Sequence, residues 1–156
     1  MKDFTFNVPQ DIIFGKGSLK RLPELLEKSG SKKMLLISGP VLKKIGMVEK
    51  VEEIVKASGI EVEVFTDVEA NPSVATVDKA TEAYKKAGAT SIVAFGGGSP
   101  MDVAKAVGVI AKYGGSITEY EGAHKVPGPI IPLIAIPTTA GTGSEVTAFS
   151  VITDHS

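Results

Sequence analysis

The chain has 156 residues, 43% apolar and 22% charged, with 17 basic and 18 acidic side chains giving a formal net charge of −1. That size suits one domain burying about two thirds of its unfolded surface, and the near-zero charge argues against a nucleic-acid or anionic-membrane surface. Cysteine is absent, which excludes a disulfide framework and a thiolate metal site and agrees with a reducing cytoplasm.

Phe4-Thr5-Phe6-Asn7-Val8 alternates at period two, and Ile12-Ile13-Phe14 follows Pro9-Gln10-Asp11. Both read as short edge strands of an N-terminal ribbon, a feature that pairs readily with a second copy and predicts a homo-oligomer, taken as a dimer. Gly15-Lys16-Gly17 then turns into a helix capped by Ser18 and ending near Gly30. Apolar runs at Met34–Ser38, Val62–Phe65, Ile92–Phe95 and Ile130–Ile136 read as strands, the first three each followed by a segment of helical period. Met47–Ser58 carries Val48, Val51, Ile54 and Val55 on one face before Gly59, and Ser73–Ala87 carries a Ser cap, Val77, Ala80 and Tyr84 before Gly88. Continuous runs such as Leu35-Leu36-Ile37 need burial on both faces. The predicted fold class is therefore α/β: a Rossmann-like parallel sheet with helices on both faces and a small ribbon at the start. Met1-Lys2-Asp3-Phe4 lacks a signal-peptide apolar core and no run of about 18 apolar residues exists, so the expected location is the cytoplasm, away from membranes.

The third strand runs through Phe95 into Gly96-Gly97-Gly98-Ser99-Pro100-Met101-Asp102 and a helix. Glycines there free the backbone for positive φ and for close approach to a ligand. Ser99 is the expected N-cap, Pro100 the first helical residue and Asp102 the acidic half of a capping-box-like pair. Helix N–H groups and the positive dipole end would then face the glycines and attract a phosphate. A plain strand-to-helix turn is the competing reading, although one glycine usually suffices for that. Neither standard phosphate motif is present: Met101 replaces the last glycine of G-x-G-x-x-G, and no G-K-[ST] occurs. The fourth run leads into Ile136-Pro137-Thr138-Thr139-Ala140-Gly141-Thr142-Gly143-Ser144-Glu145-Val146-Thr147. Thr138, Thr139 and Thr142 offer hydroxyls to ribose, phosphate or a carboxamide, and both loops leave carboxyl ends of strands, where open α/β sheets bind ligands.

Together, Gly96–Lys105 and Ile136–Thr147, with Phe6, Pro9, Ile12, Phe14, Gly15 and Gly17 of the start, resemble the signatures of the iron-containing (group III) alcohol dehydrogenases along the full chain. The resemblance implies a dinucleotide-binding N-terminal domain over residues 1–156. It implies Gly97, Gly98 and Ser99 at the pyrophosphate, with Gly96 also among the cofactor-binding residues, Asp102 near the cofactor, and Thr138, Thr139 and Thr142 around its adenine–ribose and nicotinamide ends. It also implies a helical C-terminal domain, missing here, whose aspartate and three histidines hold Fe²⁺, sometimes Zn²⁺, and which meets the alcohol or aldehyde; the end at Ser156 reads as a truncation. Many relatives carry a ribose-binding aspartate where this chain has Gly39. Loss of that carboxylate, with Lys43 or Lys44 within reach of a 2′-phosphate, favours NADP(H) over NAD(H), unless Gly39-Pro40 is only a turn and the lysines a solvated face.

Only two histidines occur, His124 and His155, without helical-spacing partners, so neither reads as a metal ligand. No catalytic residue and no metal ligand is expected within the chain. A Ser99–His124–Asp102 triad lacks any nucleophile-elbow pattern. Tyr113 and Tyr120 read as packing residues, not base-stacking ones. The expected function is the NAD(P)-binding half of an alcohol dehydrogenase, binding cofactor without turnover. Alternatives are a non-catalytic nucleotide-binding or assembly module and a glycerol-dehydrogenase-like enzyme.

Overall fold

The computed structural model describes residues 10–155. β1 (Lys33–Ser38), β2 (Glu61–Phe65), β3 (Ser91–Gly96) and β4 (Leu133–Pro137) form one parallel sheet in the order β2-β1-β3-β4. Its helices are α1 (Leu22–Lys28), α2 (Pro40–Lys44), α3 (Met47–Lys56), α4 (Val74–Ala87) and α5 (Gly98–Tyr113). The predicted α/β class with helices on both faces is the architecture observed.

Alternation along β1 and β3 divides the interior in two, because successive side chains leave a strand on opposite faces. Leu35, Ile37, Ile92 and Ala94 join Val77 and Ala80 of α4 and Met101, Ala104 and Val107 of α5. Met34, Leu36, Val93 and Phe95 join Leu22 and Leu26 of α1 and Val48, Val51 and Val55 of α3. Ile54, expected on that face, is only half-buried. β1 from Met34 onward and all of β3 are buried, while β2 and β4, at the ends of the strand order, are half-exposed. Two polar contacts lie between the buried strands: Ser31 Oγ meets Ser91 Oγ at 2.6 Å, and Ser38 Oγ donates to the Phe95 carbonyl at 2.7 Å.

Ser73 caps α4 as predicted, accepting from the Thr76 N–H at 3.3 Å, and Gly88 ends the helix at φ 66°. Glu69 reinforces this cap, accepting from the Ser73 N–H and hydroxyl at 3.0 and 2.9 Å and from the Thr76 hydroxyl at 2.6 Å. Desolvation pushes the Glu69 carboxyl upward, but the hydrogen bonds from Thr76, its own backbone and Ser73 outweigh it and bring the pKa to about 2.

The expected strand Phe4–Val8 lies outside the described residues. Three other expectations change. Ile12–Phe14 forms no strand with any described residue. Ser18 caps nothing: Gly17, at φ 80°, precedes a 3₁₀ turn over Ser18–Arg21 that leads into α1. β4 begins at Leu133, not Ile130, because Pro132 has no N–H for a ladder; its carbonyl instead accepts from the Ile92 N–H at 2.9 Å.

Parallel pairing sets the carboxyl ends of β1, β3 and β4 side by side, with Ser38 opposite Phe95 and Gly96 opposite Pro137. Gly39, the glycine run and the threonine-rich loop therefore all leave the sheet at one edge.

Candidate functional site

At that edge the chain turns from β3 into α5 within two residues. Gly96 has φ 148°, and a Cβ there would stand 3.0 Å from Pro100 Cγ, so both the backbone and the space require glycine. Gly97 precedes the helix in extended conformation, and α5 begins at Gly98 with no side-chain cap hydrogen bond. This corrects the predicted cap. Ser99 is already inside the helix, Pro100 is its third residue and is buried, and no capping box forms with Asp102. Pro100 lies against Gly96 at the start of the helix. The first-turn N–H groups thus keep their free character at the positive end of a 16-residue helix.

The second loop closes against this turn. The Thr138 N–H donates to the Gly96 carbonyl at 2.9 Å. A Cβ on Gly97 would lie 3.2 Å from Thr139 Oγ1, and one on Gly98 would lie 3.2 Å from Ser144 Oγ and 3.6 Å from Thr142 Cβ and Cγ2. The sequence-predicted residues Gly96, Gly97, Gly98, Thr138, Thr139 and Thr142 are therefore brought together, with Ser144 added; the pattern of small and hydroxyl residues in Gly141–Ser144 was the signal available for it. The hydroxyls of Thr138, Thr139 and Thr142 sit on exposed residues, open to a ligand.

Asp102 lies one turn further on and is buried. Its carboxylate faces the chain after the loop, accepting from the Val151 N–H at 3.2 Å, while its carbonyl accepts from the Ser150 hydroxyl at 2.7 Å. Burial pushes its carboxyl up, against the opposing pull of the Val151 N–H, Lys105 and the Ser144 hydroxyl. Lys105 Nζ donates to Thr147 Oγ1 at 3.1 Å and to the Phe149 carbonyl at 2.8 Å. Burial pushes the Lys105 amine down, with Asp102 and Glu145 drawing it back up. Sequence reading passed over Lys105, whose partners lie more than forty positions away.

Gly39 caps α2 in extended conformation, and a Cβ there would meet nothing within 4 Å. Lys43 is not idle: its Nζ pairs with Glu49 Oε1 at 2.5 Å, joining α2 to α3, and this hydrogen bond holds the amine above and the carboxyl below their ordinary values. Lys44 is exposed. Tyr113 and Tyr120 donate to the Pro129 and Gly114 carbonyls at 2.7 and 2.8 Å. A cavity of about 480 Å³, lined by Lys105, Val109, Tyr120, Phe149 and Ile152 among others, includes no residue of Gly96–Ser99 or Thr138–Thr142 and is separate from the glycine turn.

A glycine turn open at a helix N-terminus, roofed by threonine hydroxyls at the carboxyl edge of a parallel sheet, suits a phosphate-bearing nucleotide. A family model described as iron-containing alcohol dehydrogenase matches residues 9–156. The chain belongs to that family. It is 46% identical over 99% of its length to the choline dehydrogenase of Bacillus subtilis, and 42% identical over 96% to the NADPH-dependent butanol dehydrogenase of Clostridium saccharobutylicum. The crystal structure of sulfoacetaldehyde reductase from Bifidobacterium kashiwanohense in complex with NAD⁺ superposes with a TM-score of 0.87 at 37% identity, over 99% of this chain. The chain spans about two fifths of these relatives: 39% of each of the first two and 41% of the third. Iron is the family's metal, but among the described residues no three His, Asp or Glu gather where they could hold an ion, and His124 and His155 are exposed. The described residues thus do not fit a metal site. No helix among them is long and apolar enough to cross a membrane.

Proposed function

We propose that this chain is the dinucleotide-binding half of an NAD(P)-dependent alcohol dehydrogenase, acting in the cytoplasm as a homo-oligomer and binding cofactor without turning it over. In this reading the residues that hold the metal and meet the alcohol or aldehyde belong to the rest of the enzyme. The observation that carries it is the meeting of Gly97 and Gly98 with Thr139, Thr142 and Ser144, where any Cβ would crowd a hydroxyl at 3.2 Å. Backbone N–H groups of Gly98 and Ser99 and the hydroxyl of Ser99 hold the pyrophosphate, with the helix dipole adding to the attraction. Thr138, Thr139 and Thr142 orient the ribose and carboxamide ends through their hydroxyls. Asp102 acts from beneath, by fixing the chain that follows the loop. The bound nicotinamide supplies the hydride acceptor or donor, and these residues hold it in place.

NADP(H) is the preferred cofactor in this proposal. Open space at Gly39, free of a carboxylate, admits a 2′-phosphate, and Lys44 stands exposed nearby in sequence. Lys43 contributes only by exchanging Glu49 for the phosphate. Relatives carry both cofactors in their names, NADPH for the butanol dehydrogenase and NAD⁺ for the sulfoacetaldehyde reductase complex, so the preference rests on this chain's own residues.

Calorimetric titration of the 156-residue chain with NADPH and NADH tests the reading. Saturable binding, tighter for NADPH, is expected. Absence of heat and of thermal stabilisation with either nucleotide overturns it.

A further inference from the structure

We infer that Lys105 is a positioning residue for the dinucleotide cleft: its amine ties the chain after the threonine-rich loop to the helix that carries the glycine turn, and so fixes the width of the gap between them. The inference rests on the two-loop reading above and adds a residue to it.

The segment from Thr147 to Val151 has no place in the sheet. Its order comes from α5, through four hydrogen bonds to just two residues of that helix. Asp102 accepts from the Val151 N–H and the Ser150 hydroxyl; Lys105 donates to the Thr147 hydroxyl oxygen and the Phe149 carbonyl. Three residues apart, Asp102 and Lys105 share one helix face. The Ser144–Val146 turn runs directly into this segment, and Ser144 is the residue whose hydroxyl stands against Gly98. A continuous path therefore leads from Lys105, through Thr147 and the turn, to the wall of the gap, and returns along α5 to Gly98.

Charge explains why lysine fits this position. Asp102 is buried, and Glu145 Oε2 is buried with no hydrogen-bond partner among the described residues. The ammonium lies where it offsets both carboxylates while donating to two oxygens. A neutral side chain of the same length would leave both carboxylates without their cation, beside a Phe149 carbonyl that has lost its donor. The least costly relief is for residues 144–149 to swing outward, which moves Ser144 away from Gly98.

The test compares nucleotide affinity for Lys105→Met, Lys105→Arg and Thr147→Val, with Lys112→Met as control because Lys112 is exposed on the same helix. Each is titrated with NADPH and NADH, with thermal unfolding and bound-NADH fluorescence recorded in parallel. Lys105→Met is expected to weaken both nucleotides about tenfold and Thr147→Val about threefold, as one charge-assisted contact is lost. Lys105→Arg should recover most of the affinity, the methionine–valine double variant should be no weaker than methionine alone, and Lys112→Met should match the parent. Loss of the fluorescence shift in Lys105→Met would show the nicotinamide end loosened. Parent-like affinity and fluorescence in Lys105→Met overturn the inference, as does failure of arginine to restore them. If the methionine variant does not fold, Thr147→Val decides by the same measure. A parent chain that binds neither nucleotide removes the dinucleotide reading itself, a result distinct from equal binding by parent and variant.

Discussion

Replacing Gly98 by valine tests the glycine turn where the geometry is tightest. A Cβ at this position stands 3.2 Å from Ser144 Oγ and 3.6 Å from two carbons of Thr142. Comfortable carbon contacts begin near about 3.5 Å, so the first added atom compresses the gap and the two γ-methyls of valine extend into it. Overpacking of this kind costs about 1–3 kcal/mol. The opposing gain is at most small, because the roughly 0.5–1 kcal/mol that glycine forgoes relative to alanine applies to the middle of a helix and Gly98 is the first residue of α5. Gly98→Ala should thus unfold within about 1 kcal/mol of the parent, while Gly98→Val should be less stable by about 1–2 kcal/mol. Nucleotide binding has no such offset, since the phosphate needs the volume that the side chain takes. At about 1.4 kcal/mol per factor of ten, a loss of about 1–3 kcal/mol weakens affinity roughly 5- to 150-fold for valine. Calorimetry with NADPH, run beside a thermal unfolding scan, separates the two effects. A valine variant that retains the parent's affinity and midpoint would refute the cradle.

Ser99→Ala should leave stability within about 0.5 kcal/mol of the parent, because Ser99 caps nothing, yet weaken nucleotide binding about three- to tenfold in the same titration. Gly39→Asp meets open space, so the unfolding midpoint should hold while the NADPH-to-NADH affinity ratio falls through repulsion of the 2′-phosphate; an unchanged ratio counts against Gly39 as the selectivity position. For Glu69, the folded carboxyl titrates at about 2 against an ordinary 4.5. A depressed folded pKa means its stabilisation is complete above about 4.5 and is lost as pH falls toward 2. Glu69→Gln should therefore lower stability near neutrality by about 0.5–1 kcal/mol, a value discounted for the exposure of this cap, and flatten the decline in midpoint measured from pH 5 to 2. Leu36→Ala removes a side chain with no exposed surface; a loss of about 2–5 kcal/mol is expected by denaturant titration.

Much of the fold is written in local pattern. Runs such as Leu35-Leu36-Ile37 and Ile92-Val93-Ala94 admit few structures other than a doubly covered parallel strand, and Ser73 with Gly88 marks the limits of α4 unaided. That two loops leave the sheet at its carboxyl edge was legible too, because glycine and threonine are concentrated just past strand ends. What failed was anything set by distant packing. Ser99 has every local property of a cap, but the helix already begins at Gly98, with Gly97 in the cap position and Pro100 against Gly96. Ile130 and Ile131 look like strand, yet Pro132 interrupts the ladder ahead of β4. Lys43 was read as available, whereas Glu49 of the next helix already holds it. Asp102 and Lys105 form a pair of anchors only once residues 147–151 are laid across α5, and no spacing in the sequence announces that.

The two-sided interior has a further result for how the strands find their alignment. In a sheet with one wet face, a one-residue slip turns apolar side chains into water and is rejected for that reason. Here a slip of β1 would merely exchange Met34 and Leu36 for Leu35 and Ile37, all fully buried, so oiliness alone discriminates poorly between native and shifted pairings. The discriminating groups are the buried hydroxyls: Ser31 finds Ser91 and Ser38 finds the Phe95 carbonyl in one alignment, and a shift breaks both contacts. Three small alcohols thereby act as the detents of the sheet, and the edge on which the nucleotide would rest is in step because they are.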